Sequence, residues 1–302
     1  MKIESKAYAK INLHLEILNR RSDAYHNLFS FNASVDLFDV LTFNKIDLSN
    51  KPGNDTFIEI IPAGGNYKEL TSAIPVEDNL ITKAVKAYLQ KIGASGRISI
   101  SLKKDIPAGA GLAGGSSDAA AAIRTLNKHT GILGEDELAE LAAGIGADVP
   151  YCLKGGFAIC EGIGERIELL NVTTGLFVII ANCGIHIDTG WAYNSLNRKA
   201  DMPDTIIKRI EKTRLLIRQN IENDCFEGIF PYFKNDFEDI ILNKYPEIKD
   251  IKQEILNHGA LYAVMTGSGS SVVGLFKDIN SAKSAEKSLN NKAKVFLTGF
   301  IV

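Results

Sequence analysis

The sequence predicts an α+β protein in which strands and helices are mixed and several strands follow one another directly, rather than a doubly wound parallel sheet. Three features carry this: an amino-terminal run of apolar/polar alternation, a glycine-rich loop opening an alanine-rich helical segment, and a closing strand, turn, strand, helix, strand succession. With 302 residues and 45% hydrophobic content, the chain can hold one large domain or two packed ones. A boundary is expected between 155 and 175, giving domains 1–162 and 163–302.

From Ser5 to Ile17, Ala7, Ala9, Ile11, Leu13, Leu15 and Ile17 alternate with Lys6, Tyr8, Lys10, Asn12, His14 and Glu16, the pattern of a strand with one core face. Lys10, Asn12 and His14 then share the other face, as a solvated surface or as a site if other groups converge there. Asn19 to His26 reads as a polar turn, leaving Tyr25 and His26 at a loop-to-strand junction before the apolar strand Leu28–Phe43. Lys51-Pro52-Gly53-Asn54-Asp55 predicts a turn, Thr56–Ile61 a strand and Pro62–Asn66 another turn. Asp78 suits the N-cap of a helix Asn79–Lys91, and Arg97–Leu102 alternates as a strand. Lys103 and Lys104 read as a solvated charged pair.

Helices are expected over Gly115–Asn127 and Asp136–Ile145, followed by Gly146-Ala147-Asp148-Val149-Pro150 in a sharp turn. Short strands follow near Gly156–Cys160, Arg166–Leu170 and Leu176–Ala181. The stretch Asp201–Asn220 carries charge at helical spacing, with further helices over Phe237–Leu242 and Ile248–Leu256. The chain closes as strand Ala260–Met265, turn Thr266–Ser271, strand Val272–Phe276, helix Ser281–Leu289 and strand Val295–Ile301.

Lys and Arg number 34 against 36 Asp and Glu, a formal charge of -2, so no overall field draws the chain to nucleic acid or to a membrane surface. Met1–Lys6 carries charges where a signal peptide would need an uninterrupted apolar stretch, so none is expected there, and no apolar run is long enough to span a bilayer as a helix. A cytoplasmic protein acting on small molecules is expected, as a monomer or weak homodimer. Cys152, Cys160, Cys183 and Cys225 lack C-x-x-C or zinc-finger spacing and read as buried reduced thiols, and the five histidines are dispersed. Any metal is expected to arrive with a phosphate.

The stretch Pro107-Ala108-Gly109-Ala110-Gly111-Leu112-Ala113-Gly114-Gly115-Ser116-Ser117-Asp118 brings glycine backbone and a helix start to one point, which is an anion cradle. Gly109-x-Gly111-x-x-Gly114 matches the dinucleotide fingerprint literally. Lys103–Pro107 nevertheless separates it from the preceding strand, and the position about 20 residues on falls at a helix start rather than a strand end. A Walker loop fails because no Gly-Lys-Ser/Thr follows the glycines. Asp148, pinned between Gly146 and Pro150, fits either a helix N-cap or a catalytic base.

Pro107-x-x-x-Gly111-Leu112-Ala113-Gly114-Gly115-Ser116-Ser117-Asp118-Ala119 resembles the ATP-binding loop of the GHMP small-molecule kinases, and Thr266-Gly267-Ser268-Gly269-Ser270 resembles that family's third motif. The resemblance spans almost the whole chain. It implies the two-domain GHMP kinase fold: a ribosomal protein S5 domain 2-like amino-terminal domain for ATP binding and catalysis, and a ferredoxin-like carboxyl-terminal domain on the substrate side. It further implies that Pro107, Ala108, Gly109, Ala110, Gly111, Leu112, Ala113, Gly114, Gly115, Ser116 and Ser117 wrap ATP, with Mg²⁺ beside the serines.

Ala9-Lys10-Ile11-Asn12-Leu13, Arg21-x-Asp23-Ala24-Tyr25-His26 and Gly146-Ala147-Asp148-Val149-Pro150 are similar to one branch of that family. Its members phosphorylate the 2-hydroxyl of a cytidine-diphosphate-linked methylerythritol in the non-mevalonate route to isoprenoid precursors. The resemblance implies Asp148 as proton acceptor and Lys10 as its electrostatic partner. Asn12, Tyr25, His26 and Tyr193 are then on the substrate side, Trp191 being the other aromatic available to the base. Family members usually carry Gly where this chain has Ala24, so a turn of different shape is expected there.

Overall fold

The computed structural model describes residues 2–49 and 56–301, and the turn expected at Lys51–Asp55 lies outside them. In chain order the elements are β1 (Ile3–Arg20), β2 (His26–Ser49), β3 (Phe57–Pro62), α1 (Lys68–Ala73), α2 (Leu80–Lys91), β4 (Ser95–Lys103), α3 (Gly114–Thr130), α4 (Glu135–Ile145) and α5 (Val149–Lys154). Next come β5 (Phe157–Gly162), β6 (Arg166–Leu170), β7 (Phe177–Asn182), α6 (Thr189–Ser195), α7 (Asp204–Glu222) and a 3-10 turn at Phe226–Tyr232. The chain ends with α8 (Glu238–Lys244), α9 (Pro246–Asn257), β8 (Tyr262–Met265), β9 (Ser271–Phe276), α10 (Ile279–Leu289), β10 (Lys294–Thr298) and β11 (Phe300–Ile301). The expected strands and helices all lie within these elements or overlap them, whereas α1, α6 and the 3-10 turn were not foreseen and α5 was anticipated only as one alternative, a helix start at Asp148. The α2 cap differs by one residue, since it is Asn79 whose side chain accepts the Ile81 N–H, at 2.9 Å.

The chain forms two compact units, one of Met1–Ala9, Leu37–Ala108 and Ala113–Lys154, the other of Lys10–Asp36, Gly109–Leu112 and Gly155–Val302. In the first, β4 lies between parallel β3 and the antiparallel second half of β2. Its apolar residues Ile98, Ile100 and Leu102 join Leu41 and Phe43 in one core with Tyr88 and Leu89 of α2 and Ala119, Ala120, Ala121, Ala122 and Ile123 of α3. The four alanines are fully buried; with no side chain beyond Cβ, they let α3 pack closely within this core. Each buried Leu, Ile or Phe here contributes about 1.5–3 kcal/mol from area removed from water.

In the second unit β7, β8, β9 and β10 form an antiparallel sheet in the order β10-β7-β9-β8, the arrangement of a ferredoxin-like unit. Ile251 and Ile255 of α9 and Ala282, Ala285 and Leu289 of α10 share a core with Ile179, Met265, Val272 and Phe276 of the sheet. A side chain at Gly274 of β9 would collide with Ile255, so glycine there admits α9. The first half of β2 pairs with β5, and β5 with β6. Arg214 and Arg218 of α7 pair with Glu161 of β5 and Glu168 of β6, respectively.

Burial decides between the two readings of the polar face of β1 and corrects the reading of the cysteines. Lys10, Asn12, His14 and Glu16 are each at most 5% exposed, as are their apolar neighbours, so this face is not a solvated surface. Among the cysteines all four are free, but only Cys160 is buried, while Cys225 is exposed and Cys152 and Cys183 are half-buried.

Candidate active site

The glycine loop owes its shape to alternating backbone hand. Gly109, Gly111 and Ala113 have φ of 61°, 75° and 54°, while Ala110 and Leu112 between them stay outside the positive region. Such alternation turns successive N–H groups to one side and makes an anion-binding concavity. Ala113 is the N-cap of α3 and offers no side-chain oxygen, so the first turn of this 17-residue helix has no side-chain cap. The N–H groups there, with the helix dipole, suit phosphate oxygens. Ser117 is buried and donates its hydroxyl to the Gly114 carbonyl at 2.9 Å, while Ser116 is half-exposed. Among the described residues no group of three or more His, Cys, Asp or Glu could hold a metal ion. The half-exposed Ser116 hydroxyl at the start of α3 is an oxygen that suits Mg²⁺ held mainly by phosphate oxygens, which is how this cation is commonly bound.

In the second unit the loop meets the Thr266–Ser270 turn. A Cβ on Gly111 would strike the Thr266 carbonyl, and one on Gly267 would come within 2.9 Å of Gly111 Cα, so both positions need glycine for contact as well as for φ. The Thr266 hydroxyl donates to the Gly111 carbonyl at 3.1 Å and accepts the Asn12 N–H at 2.9 Å. Asn12 Oδ1 accepts both Lys10 Nζ, at 2.8 Å, and the Gly267 N–H, at 3.0 Å. The Lys10 N–H donates to the Leu112 carbonyl at 3.1 Å. Within the second unit, Gly111 and Leu112 of the loop, Thr266 and Gly267 of the turn and the buried β1 residues Lys10 and Asn12 are thus joined in one hydrogen-bonded cluster. Further along β1, Glu16 accepts from His14 and pairs with Lys234 and Arg209. Burial alone would raise its pKa, but those partners outweigh burial and hold it at about 2.

Tyr25 and His26 follow a hairpin turn in which the Arg21 N–H donates to the Tyr25 carbonyl at 2.8 Å and Asp23 Oδ1 accepts the Tyr25 N–H at 3.1 Å. Ala24 has φ 69°. The turn therefore keeps the left-handed residue that glycine would supply, contrary to the expected change of shape, and Ala24 bears the strain. Tyr25 is 57% exposed, an aromatic face open to a ligand. The His26 ring lies 5.2 Å from that of Tyr193, which packs edge-on against Phe237. Burial, with Arg20 and Arg198 nearby, lowers the His26 pKa and so favours the neutral imidazole, a form with one nitrogen to donate and one to accept. Trp191 is engaged differently, with Lys244 Nζ 3.6 Å from its ring centroid. Of the two candidate aromatics, Tyr193 is the one beside His26.

In the first unit Asp148 immediately precedes α5, and its carbonyl accepts the Cys152 N–H at 3.0 Å, so it occupies a helix start as its neighbour Pro150 suggests. At the other end of this six-residue helix Arg124 of α3 faces the Leu153 and Cys152 carbonyls at 3.3 and 3.5 Å and the Lys6 carbonyl at 3.1 Å. Lys104 is 7% exposed and sits between Asp39 and Asp118, correcting its reading as a surface residue, whereas Lys103 is exposed. Burial opposes the charge on Lys104, yet the two carboxylates keep its pKa raised; burial lifts Asp118 to about 7. Asp39 also accepts the N–H groups of Asp105 and Ile106, at 2.6 and 2.8 Å. A Cβ on Gly114 would lie 3.2 Å from Lys104 Nζ, so this ammonium underlies the first residue of α3. Neither Arg124 nor Asp39 was expected from the sequence. An Asp between apolar strand residues was the available signal for Asp39.

Comparison with known proteins gives a consistent picture. Family models described as "GHMP kinases N terminal domain" and "GHMP kinases C terminal" match residues 79–156 and 208–295. The chain is 37% identical over 303 residues to a protein of Caldicellulosiruptor saccharolyticus named 4-diphosphocytidyl-2-C-methyl-D-erythritol kinase, covering 98% of this chain and 94% of that one. A crystal structure of 4-(cytidine 5'-diphospho)-2C-methyl-D-erythritol kinase aligns with TM-score 0.75 and 27% identity over 99% of both chains. A homoserine kinase from Cytophaga hutchinsonii also aligns with TM-score 0.75 over 99% of this chain and 95% of its own, at 19% identity, a likeness of fold alone.

Proposed function

The chain belongs to the GHMP kinase family, and we propose that its reaction is ATP-dependent phosphorylation of the 2-hydroxyl of 4-diphosphocytidyl-2-C-methyl-D-erythritol. The observation that carries the assignment to a phosphoryl-transfer site is the joining of the glycine loop, the Thr266–Ser270 turn and Lys10 through Asn12. The substrate rests on near full-length identity to proteins of that name and on Tyr25, His26 and Tyr193.

In this reading Gly109–Ser117 binds the ATP phosphates through backbone N–H groups and the α3 dipole. Ser116, with the ATP phosphates, would hold Mg²⁺, which would supply neutralisation of the phosphate charge. The substrate oxygen attacks the γ-phosphorus, the bond from that phosphorus to the β,γ-bridging oxygen breaks, and ADP leaves. Asp148 accepts the hydroxyl proton, and Lys10 stabilises the negative charge on the oxygens of the transferred group. Tyr25 stacks on the cytosine and His26 reads its edge, Tyr193 supporting the imidazole. The enzyme works in the cytoplasm on free small molecules, as a monomer or weak homodimer.

The test is ADP release with the cytidyl substrate and a series of analogues. Turnover that requires the cytidine diphosphate group supports the reading. Turnover with a bare sugar alcohol, homoserine or mevalonate and none with the cytidyl compound overturns it.

A further inference from the structure

Asn32 lies in the first half of β2, in a run otherwise rich in apolar residues, and is 3% exposed. A primary amide in such a place carries a desolvation cost unless it is hydrogen-bonded, and this one is bonded on both sides. Its Oδ1 accepts Asn12 Nδ2 at 2.7 Å, and its Nδ2 donates to Cys160 Sγ of β5 at 3.3 Å.

The first of these bonds has a directional consequence. An asparagine amide can turn over, exchanging its oxygen and nitrogen. Asn12 must present oxygen to Lys10 Nζ and to the Gly267 N–H, since both are donors. The acceptor on Asn32 holds Asn12 Nδ2 on the far side and so selects that orientation. Turned over, the Asn12 amide would set N–H groups against an ammonium and a backbone N–H, and Lys10 and the Thr266–Gly267 turn would lose a shared acceptor. Lys10, Asn12, Asn32 and Thr266 are each at most 5% exposed, so water is poorly placed to substitute for the missing bond.

We propose that Asn32 is a positioning residue for phosphoryl transfer: by accepting the Asn12 amide it fixes the Asn12 oxygen on Lys10 and on the glycine turn. The inference rests on the proposed role of Lys10. It assigns to Asn32 no contact with either substrate.

The test compares kcat, both KM values and melting temperature for Asn32→Leu, Asn32→Asp, Asn12→Ala, Lys10→Met and the double variant Asn12→Ala/Asn32→Leu. Asn32→Leu, which removes the acceptor, is expected to lower kcat by about 10- to 100-fold with both KM values within about threefold of wild type. Asn32→Asp keeps an acceptor toward Asn12 Nδ2 and is expected to recover most of kcat. If Asn32 acts through Asn12, the double variant is no slower than Asn12→Ala, whereas a general packing role makes the two losses multiply. Multiplying losses, an unchanged kcat in Asn32→Leu, or a loss confined to KM for the cytidyl substrate overturns the proposal. Should Asn32→Leu fail to fold, failure of folded Asn32→Asp to exceed one tenth of wild-type kcat does the same. Lys10→Met separates the two readings: near wild-type turnover there removes the premise, while inactive Lys10→Met with fully active Asn32→Leu removes only the role of Asn32.

Discussion

At the scale of single residues, chemistry and strain are concentrated at a few positions. Asp148→Asn is expected to lower kcat by about 10² or more while nucleotide affinity stays near wild type, checked by steady-state rates and calorimetric titration of ATP. Ala24 sits at φ 69°, a conformation that costs an L-residue roughly 1 kcal/mol relative to glycine. Ala24→Gly should therefore raise stability by up to about 1 kcal/mol in denaturant titration. Glu16 supplies a pH dependence. Its folded pKa of about 2 lies below the ordinary carboxyl value of 4.5, so the unfolded chain binds its proton more tightly. The stabilisation, about 3 kcal/mol, is present above pH 4.5 and is lost as pH falls through the folded value. Acid unfolding of wild type and Glu16→Gln should converge toward pH 2 and diverge above pH 4.5.

At the scale of elements, long-range polar ties set what the local sequence could not. Lys104 joins Asp39 of β2 to Asp118 of α3, and removing it would leave two buried carboxylates without their cation. Lys104→Met should cost about 3–5 kcal/mol by urea unfolding, whereas Lys103→Met at the exposed neighbour should change stability little. Arg124→Met strips the donor from the last carbonyls of α5 and is expected to cost about 3 kcal/mol. The periodicity of β1, β4, α2, α3 and α9 was legible because each repeats its apolar residues at the spacing of its own geometry. The burial of both faces of β1 was not, since alternation reports residue type and leaves open what covers the polar side. Lys104 was misread for a related reason: a Lys-Lys pair looks solvated, and its partner Asp39 is 65 residues away in sequence. α6 escaped notice because it is a seven-residue helix with glycine at its second position, started by an Asp188 cap rather than by a repeating apolar stripe.

Across the molecule, the α+β class was legible from the succession of strands and helices, and the family from a loop whose glycines and serines lie close together in sequence. The interleaving was not, because Lys10–Asp36 and Gly109–Leu112 group with residues far along the chain. The substrate-side reading of Tyr25 and His26 gains from Tyr193, which a linear motif could not rank against Trp191 and which the aromatic packing separates from it. The central claim is that one hydroxyl of a cytidyl sugar alcohol receives the ATP γ-phosphate. The most direct test is phosphorus and proton NMR of the product made by the purified enzyme from ATP and the cytidyl substrate. The account predicts a new phosphomonoester on C2 of the methylerythritol with the diphosphate intact, formed with one ADP and absent with Asp148→Asn. A phosphate at any other position, or ADP release with no new ester, would contradict it.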